Sequence, residues 1–132
     1  MIKDIHHITI NVTDLEESRH FYGQFLGLDR LADVDMGDHS LHYYALPGGA
    51  KLELIAYAGD TGDCVSGLLE RGRFRHLALV VDDMDYLCNN IENYGGRMLQ
   101  LPRWVEELRF TGALAEDPNG CELEFVMPEV KY

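Results

Sequence analysis

The stretch His7-Ile-Thr-Ile-Asn-Val-Thr-Asp14 reappears later in the chain as His76-Leu-Ala-Leu-Val-Val-Asp-Asp83. Both runs begin with a histidine, continue with apolar or alternating residues and reach an acidic residue seven places on. A second pair of blocks follows in the same order, Pro47-Gly-Gly-Ala-Lys-Leu-Glu53 and Pro118-Asn-Gly-Cys-Glu-Leu-Glu124. Because two blocks recur in one order, we interpret the chain as two copies of a single structural unit.

The first copy changes from the periodicity of a strand to that of a helix. Residues 5–12 alternate as a strand does and place His7 on its polar face. Asp14 has the position of a helix N-cap, Glu17 completes a capping box, and Gly27 can end the helix. The apolar stripe predicted for this helix consists of Leu15, Tyr22, Phe25 and Leu26. Three further strands are predicted near residues 30–35, 40–46 and 51–57.

The second copy repeats this order. A strand over residues 75–81 leads to a helix that Asp82 or Asp83 caps and that the pair Gly95-Gly96 ends. Three strands follow, near residues 97–100, 109–115 and 121–126. This pattern predicts an α+β fold with two βαβββ modules, residues 1–57 and 74–127, joined by a linker over residues 58–73 with a helical turn near residues 66–70.

Composition excludes several classes of function. The chain has 11 Lys and Arg against 23 Asp and Glu, a formal charge of -12, which argues against nucleic acid and anionic membranes as partners. Its 132 residues, 46% hydrophobic, suit one domain whose halves must pack on each other or on a second chain. Three scattered cysteines indicate reduced thiols and a cytoplasmic location. The run from Met1 to His7 has no apolar signal core, so we expect neither a signal peptide nor a membrane-spanning segment.

The repeats also align residues that can bind a metal. His7 and His76 begin the first strand of each copy, and Glu53 and Glu124 lie between apolar residues in the last. Alternation turns each glutamate away from those neighbours, towards the polar face that carries the histidine. If first and last strands are adjacent, the two modules together offer two imidazoles and two carboxylates. This donor set suits a divalent transition metal, whose charge would offset the burial of the carboxylates.

Taken singly, each of these residues is more often structural than a ligand. The recurrence of both residue types at both matched positions reverses that interpretation. The other histidines have no such support. His6 is expected to point away from His7, and His42 is expected to have a structural role or to line the cavity.

Three motifs resemble those of the vicinal oxygen chelate superfamily. The run from His6 to Tyr22 resembles the opening of these proteins, and Arg75-His-Leu-Ala-Leu-Val-Val-Asp-Asp83 resembles the start of their second module. Their closing motif resembles Glu116-Asp-Pro-Asn-Gly-Cys-Glu-Leu-Glu-Phe125. The resemblance covers nearly the whole chain. It implies a glyoxalase-like fold in which two βαβββ modules form a curved sheet around a metal-binding cavity.

The resemblance assigns His7, Glu53, His76 and Glu124 as metal ligands. A full set of two histidines and two glutamates is most similar to bacterial-type glyoxalase I. Extradiol dioxygenases and fosfomycin-resistance enzymes typically use two histidines and one carboxylate. Methylmalonyl-CoA epimerases typically carry glutamine at the position of Glu53. Bleomycin-binding relatives lack the metal ligands. Glutathione-using glyoxalases carry an arginine and an asparagine where this chain has Asn11 and Tyr57. The groups expected to hold the glutathione carboxylates are therefore missing, unless Arg103 or Arg109 substitutes. The alternative substrates are another thiol adduct and another 2-oxo or 2-hydroxy compound.

The resemblance therefore implies a metal-dependent lyase or isomerase that acts on an α-hydroxycarbonyl compound such as a hemithioacetal. A Ni, Co, Zn, Mn or Fe ion would polarise the carbonyl and stabilise the enediolate. Glu124 would be the base that moves the proton, with Glu53 as its counterpart. The alternatives are an epimerase, a dioxygenase and a small-molecule-binding resistance protein. Relatives of this kind commonly form homodimers with the site at the interface. Candidate pocket walls are Tyr43, Tyr44, Tyr57, Trp104 and Phe110.

Overall fold

The first element of each repeat is a short strand that leads into a capped helix. The structure, a computed structural model, describes residues 1–59, 72 and 74–129. Asp14 caps the first helix through a carboxylate oxygen 3.1 Å from the Glu17 amide, and Asp83 caps the second through one 2.9 Å from the Tyr86 amide. Both caps satisfy backbone donors that a helix start leaves without partners. Of the two aspartates considered for the second cap, the structure therefore selects Asp83.

The chain divides into two compact units, residues 1–64 and 65–132. Unit 1 contains β1 (His7–Asn11), α1 (Leu15–Arg19, continued by a π-helix over His20–Phe25), β2 (Arg30–Asp35), β3 (His39–Ala45), a 3-10 turn (Pro47–Gly49) and β4 (Lys51–Tyr57). Unit 2 contains β5 (His76–Val80), α2 (Met84–Asn90, continued by a 3-10 turn over Ile91–Tyr94), β6 (Arg97–Val105), β7 (Phe110–Glu116) and β8 (Glu122–Pro128). The prediction of an α+β fold with two βαβββ modules is confirmed.

Each unit has its own four-stranded sheet. The strand order is β1-β4-β3-β2 in unit 1 and β5-β8-β7-β6 in unit 2. The first and last strands of each unit pair in parallel, and all other pairs are antiparallel. In each unit the last strand therefore lies between the first strand and the third. The glutamate on that last strand, Glu53 or Glu124, thus has a neighbouring strand on each side.

Leucine and aromatic side chains pack the helix of unit 1 against its sheet. Leu52 and Leu54 are fully buried, and so are Phe21 and Tyr22. The predicted apolar stripe omitted Phe21, because it assumed regular α-helical spacing. Residues His20–Phe25 instead form a π-helix, with the Leu26 amide 2.9 Å from the Phe21 carbonyl oxygen. This wider turn directs neighbouring aromatic residues into one core.

The longest strand differs from its prediction. The strand predicted near residues 97–100 continues to Val105, through Pro102, because its pairing with β7 shifts register twice. A β-bulge accommodates a residue that lacks the amide hydrogen needed by a regular ladder. The predicted linker, residues 58–73, lies largely outside the described residues, as do its helical turn and Cys64, so these remain predictions. Over the described ranges, no helix has the length and apolar character needed to cross a membrane.

The turn between β7 and β8 is held by one buried carboxylate. An oxygen of Asp117, a residue only 2% exposed, accepts hydrogen bonds from the amides of Asn119 and Cys121, both at 2.8 Å. The second oxygen accepts the Asn119 side-chain amide at 3.0 Å. Since this turn directly precedes β8, the Asp117 carboxylate fixes where Glu122 and Glu124 enter the sheet.

We expect Asp117→Ala to lower the free energy of unfolding by about 3 kcal/mol, because it leaves buried amides without their charged acceptor. Urea unfolding followed by circular dichroism measures the change. Asp117→Asn, which keeps an acceptor, should lose less. Asp82→Ala alters an exposed aspartate and serves as control. Equal losses for Asp117→Ala and Asp82→Ala would contradict the role given to this turn.

Candidate metal centre

The first half-site consists of His7 and Glu53 in unit 1. In the parallel pairing of β1 with β4, His7 lies opposite Lys51 and Thr9 lies opposite Glu53. Because side chains two residues apart share a face of a strand, His7 and Glu53 lie on the same face of adjacent strands. This is the arrangement that the sequence predicts for an imidazole and a carboxylate within one module.

Both oxygens of the Glu53 carboxylate accept hydrogen bonds. The Thr9 hydroxyl donates to Oε1 at 3.1 Å, and the Tyr43 hydroxyl, from the opposite neighbouring strand, donates to Oε2. Glu53 is only 7% exposed. The hydrogen bond to Glu53, followed by burial and the negative charge of the carboxylate, raises the pKa of Tyr43 above its usual range, so that its hydroxyl stays a donor. The hydroxyl groups of Thr9 and Tyr43 thus hold the Glu53 carboxylate in one position.

The surroundings of His7 differ from the prediction in one respect. His6 was expected to point to the opposite side, but its Nδ1 lies 2.8 Å from Nδ1 of His7, and the two rings meet edge to face. The reason is that β1 begins only at His7, so the alternation of a strand does not extend to His6.

The second half-site consists of His76 and Glu124 in unit 2. Here His76 lies opposite Glu122 and Ala78 lies opposite Glu124, the same register as in unit 1. The Nε2 atom of His76 is 3.3 Å from Oε2 of Glu124. On the other neighbouring strand Glu124 faces Leu114. Alanine and leucine replace the two hydroxyl donors of unit 1, so Glu124 is held less firmly than Glu53.

Glu122 orients the imidazole of His76. Its side chain is 1% exposed, and its Oε2 atom lies 2.6 Å from Nδ1 of His76 and 3.0 Å from Nε of Arg75. With Nδ1 engaged by Glu122, Nε2 is the nitrogen directed at Glu124. A carboxylate behind the imidazole in this way is characteristic of metal-binding histidines. Glu122 is not among the predicted site residues, although its position two residues before Glu124 places it on the same face of β8.

A concave pocket in unit 2 adjoins this half-site. Its volume is 260 Å³, and its polar lining comprises Arg75, His76, Gln100, Arg103 and Glu124. The apolar lining includes Val105, Leu108, Phe110 and Leu114. Phe110 is therefore the one predicted wall residue that lines this pocket. The pocket offers a place for a small molecule directly beside His76 and Glu124.

The remaining predicted wall residues have other surroundings. Tyr43 binds Glu53, and Tyr44 lies on the core side of β3, only 3% exposed. Tyr57 packs on His39 with ring centroids 5.2 Å apart, and Trp104 is 44% exposed.

His42 has a structural environment. It lies opposite Leu54 in the pairing of β3 with β4, on the core face rather than the face of Glu53. Its Nδ1 atom is 3.0 Å from Asp33, its Nε2 atom is 2.7 Å from the Ser40 hydroxyl, and the residue is 6% exposed. Of the two roles considered for His42, the structural one agrees with these contacts.

The donor atoms of both half-sites fit a divalent transition metal. Imidazole nitrogen and carboxylate oxygen are suitable ligands, and a cation would compensate the charge of the buried Glu53. Each unit offers one histidine and one glutamate, and residues 1–59, 72 and 74–129 contain no group of three or more His, Cys, Asp or Glu gathered around one point. One half-site by itself is therefore an incomplete metal site.

The chain is similar in sequence to known proteins over most of its length. The chain is 30% identical to a probable lactoylglutathione lyase of Synechocystis sp. over 131 residues, 95% of each protein. It is 31% identical to an ethylmalonyl-CoA/methylmalonyl-CoA epimerase of Cereibacter sphaeroides over 104 residues, 75% of this chain and 76% of that protein.

Among solved structures, glyoxalase I from Zea mays superimposes with a TM-score of 0.76 at 24% identity, covering 96% of this chain and 45% of that one. At this level of sequence identity, the superposition shows only that the two proteins share a fold. The sequence model of the Glyoxalase/Bleomycin resistance protein/Dioxygenase superfamily matches residues 4–125, and the chain belongs to that superfamily.

Proposed function

We propose that the protein is a metal-dependent lyase or isomerase of the glyoxalase I type, acting on an α-hydroxycarbonyl or hemithioacetal substrate. The observation that carries this proposal is the contact of His76 with Glu124, backed by Glu122, beside a pocket of suitable size. The matched pair His7 and Glu53 in unit 1 supplies the remaining donors. The 30% identity to a probable lactoylglutathione lyase supports the same class of reaction.

In this proposal His7, Glu53, His76 and Glu124 together hold one Ni, Co, Zn, Mn or Fe ion. Such a cation polarises a carbonyl and acidifies the neighbouring C–H bond. Glu53, whose carboxylate accepts hydrogen bonds from Thr9 and Tyr43, is the ligand that stays in place during the reaction. The Glu124 carboxylate, which has apolar neighbours on both adjoining strands, accepts the proton from the hydroxyl-bearing carbon and returns it to the adjacent carbon.

A second candidate is the epimerisation of an acyl-CoA, favoured by the 31% identity to an epimerase. Both reactions move a proton at a carbon next to a carbonyl, so Glu124 could serve either. Glu53 favours the lyase, because the resemblance places glutamine there in epimerases. Assays of methylmalonyl-CoA and of hemithioacetals on one preparation separate the two candidates.

We also propose a cytoplasmic homodimer in which each metal is shared between protomers. The proposal is supported by the two donors that each unit supplies, since two protomers would complete two equivalent sites. The Cys88 thiol is free, as expected in a reducing compartment.

The first expected outcome concerns metal binding. Calorimetry and elemental analysis should find about one divalent ion per chain. Loss of a ligand in His76→Ala should weaken binding more than roughly 100-fold, and loss of its partner carboxylate in Glu122→Gln should weaken it about 10- to 100-fold. His20→Ala, on an exposed helical residue, is the control. Wild-type affinity in His76→Ala would show that the ligands are wrongly assigned.

The second expected outcome concerns the thiol. Asn11 and Tyr57 stand where glutathione-using relatives have arginine and asparagine, so the methylglyoxal–glutathione hemithioacetal should be a poor substrate of the metal-loaded enzyme. Steady-state kinetics should give a higher KM for this adduct than for methylglyoxal adducts of smaller thiols. A lower KM for the glutathione adduct would mean that other residues hold its carboxylates.

The third expected outcome concerns assembly. A His7→Ala chain and a His76→Ala chain should each be inactive, and activity should reappear when the two are mixed under subunit exchange. In a heterodimer with shared sites, one site collects both lesions and the other is intact. If each site lay within one chain, every site would keep a lesion and the mixture would stay inactive. That result, or a monomer by sedimentation at micromolar concentration, would refute the shared site.

A further inference from the structure

The pocket of unit 2 contains one arginine whose charge has no internal partner. Arg103 is exposed, lines the pocket and makes no ion pair with any residue in the described part of the chain. The other described arginines all pair with carboxylates: Arg19 with Glu16 and Asp33, Arg30 with Asp33, Arg75 with Glu122, Arg97 with Glu116, and Arg109 with Glu106 and Glu129. In a chain with a formal charge of -12, an arginine without an acidic partner is exceptional.

A β-bulge places Arg103 in the pocket. Gln100 pairs with Leu114 and Arg103 pairs with Gly112, so three steps along β6 correspond to two along β7. The extra residue reverses the alternation, and Arg103 joins Gln100 on the pocket face. The next residue, Trp104, is not among the pocket-lining residues and is instead covered by Arg109 at 5.2 Å from its ring centroid.

Arg109, the next arginine along the chain, differs from Arg103 because carboxylates of the protein bind its guanidinium. Its guanidinium binds Glu129 through Nε and Nη2 and Glu106 through Nη1. Its backbone has the left-handed conformation, with φ of 55°, at the turn between β6 and β7. Each of the three guanidinium nitrogens of Arg109 thus donates to a carboxylate, whereas the Arg103 guanidinium is available to a ligand.

The opposite strand leaves space beside Arg103. Gly112 is its cross-strand partner, and a Cβ atom there would approach Cε1 of Phe110 to 3.0 Å. The absence of a side chain at residue 112 thus lets the Phe110 ring lie along the pocket. Leu108, which also lines the pocket, is 60% exposed. An apolar ligand body would cover both side chains and gain from the loss of water contact.

Arg103 and Glu124 lie at opposite sides of this surface. Arg103 is on β6 and Glu124 is on β8, and β7 lies between these strands. On β7 their partners are two residues apart, since Gly112 pairs with Arg103 and Leu114 pairs with Glu124. The standard strand spacing and rise put their Cα atoms roughly 12 Å apart. A group held by the Arg103 guanidinium would therefore be separated by several bonds from the carbons that react beside Glu124.

We infer that Arg103 anchors a carboxylate of the substrate, whose apolar middle lies over Phe110 and Leu108 and whose reactive end lies beside His76 and Glu124. This substrate class rests on the proposed function for the position of the reactive end. A planar guanidinium binds a carboxylate through two parallel hydrogen bonds, which gives the substrate one orientation in the pocket.

Two unreactive thioethers that differ in one group test the anchor: 3-(benzylthio)propanoate and 3-(benzylthio)propan-1-ol. Calorimetry on the full chain should show that the carboxylate binds about tenfold more tightly than the alcohol, because only the carboxylate pairs with the guanidinium. Arg103→Gln should remove this preference, and Arg103→Lys should keep part of it. Arg109→Gln is the matched control and should keep all of it.

Equal affinities for the two thioethers in the wild type, no binding of either, or a full preference in Arg103→Gln would each overturn the assignment. These affinities do not depend on turnover. Failure of the proposed function would instead appear as a wild-type protein that binds no divalent ion or converts no hemithioacetal, so the two failures are distinguishable.

Discussion

The candidate site depends on the parallel pairing between the first and last strands of each unit. A shift of one residue in that pairing would turn each glutamate to the core face and expose the apolar residues beside it. In unit 1 those residues are Leu52 and Leu54, both fully buried, and each contributes about 2 kcal/mol or more by leaving water. The hydrophobic core thus fixes the register, and the register places Glu53 on the same face as His7. The positions of these two candidate ligands are therefore a consequence of core packing.

The two units share one strand pairing but surround their glutamates with different side chains. Thr9 and Tyr43 hold both oxygens of Glu53, whereas Ala78 and Leu114 occupy the corresponding positions around Glu124. The histidines diverge in the same manner, because Glu122 stands behind His76 while a lysine occupies the corresponding position opposite His7. The repeat therefore accounts for the matched positions of the candidate ligands, and the residues around them account for the different number of hydrogen bonds to each glutamate. A proton-transferring carboxylate must move, so the less restrained of the two is the better candidate.

Much of this arrangement follows from the sequence, because repeats, caps and alternation are local signals. The helix caps and all eight strands were predicted within a few residues, apart from the C-terminal half of β6. Two departures from regular periodicity could not be predicted: a π-helical turn buries Phe21, and a β-bulge turns Arg103 onto the pocket face. The contact of Glu122 with His76 required knowledge of which strands are adjacent, which no local pattern contains.

Three features that could bind and orient a small molecule lie together in unit 2. The less restrained carboxylate, the pocket and the unpaired Arg103 all lie on the face of β6, β7 and β8, while unit 1 holds its glutamate rigidly. This difference between the units suits the proposed role of Glu124, because a carboxylate that transfers a proton between two carbons needs a substrate held firmly next to it. The bulge at Pro102 connects the two requirements, since it lengthens β6 beyond the predicted strand and turns Arg103 onto the face of Glu124. An irregularity in one edge strand thus determines which ligands the pocket can recognise.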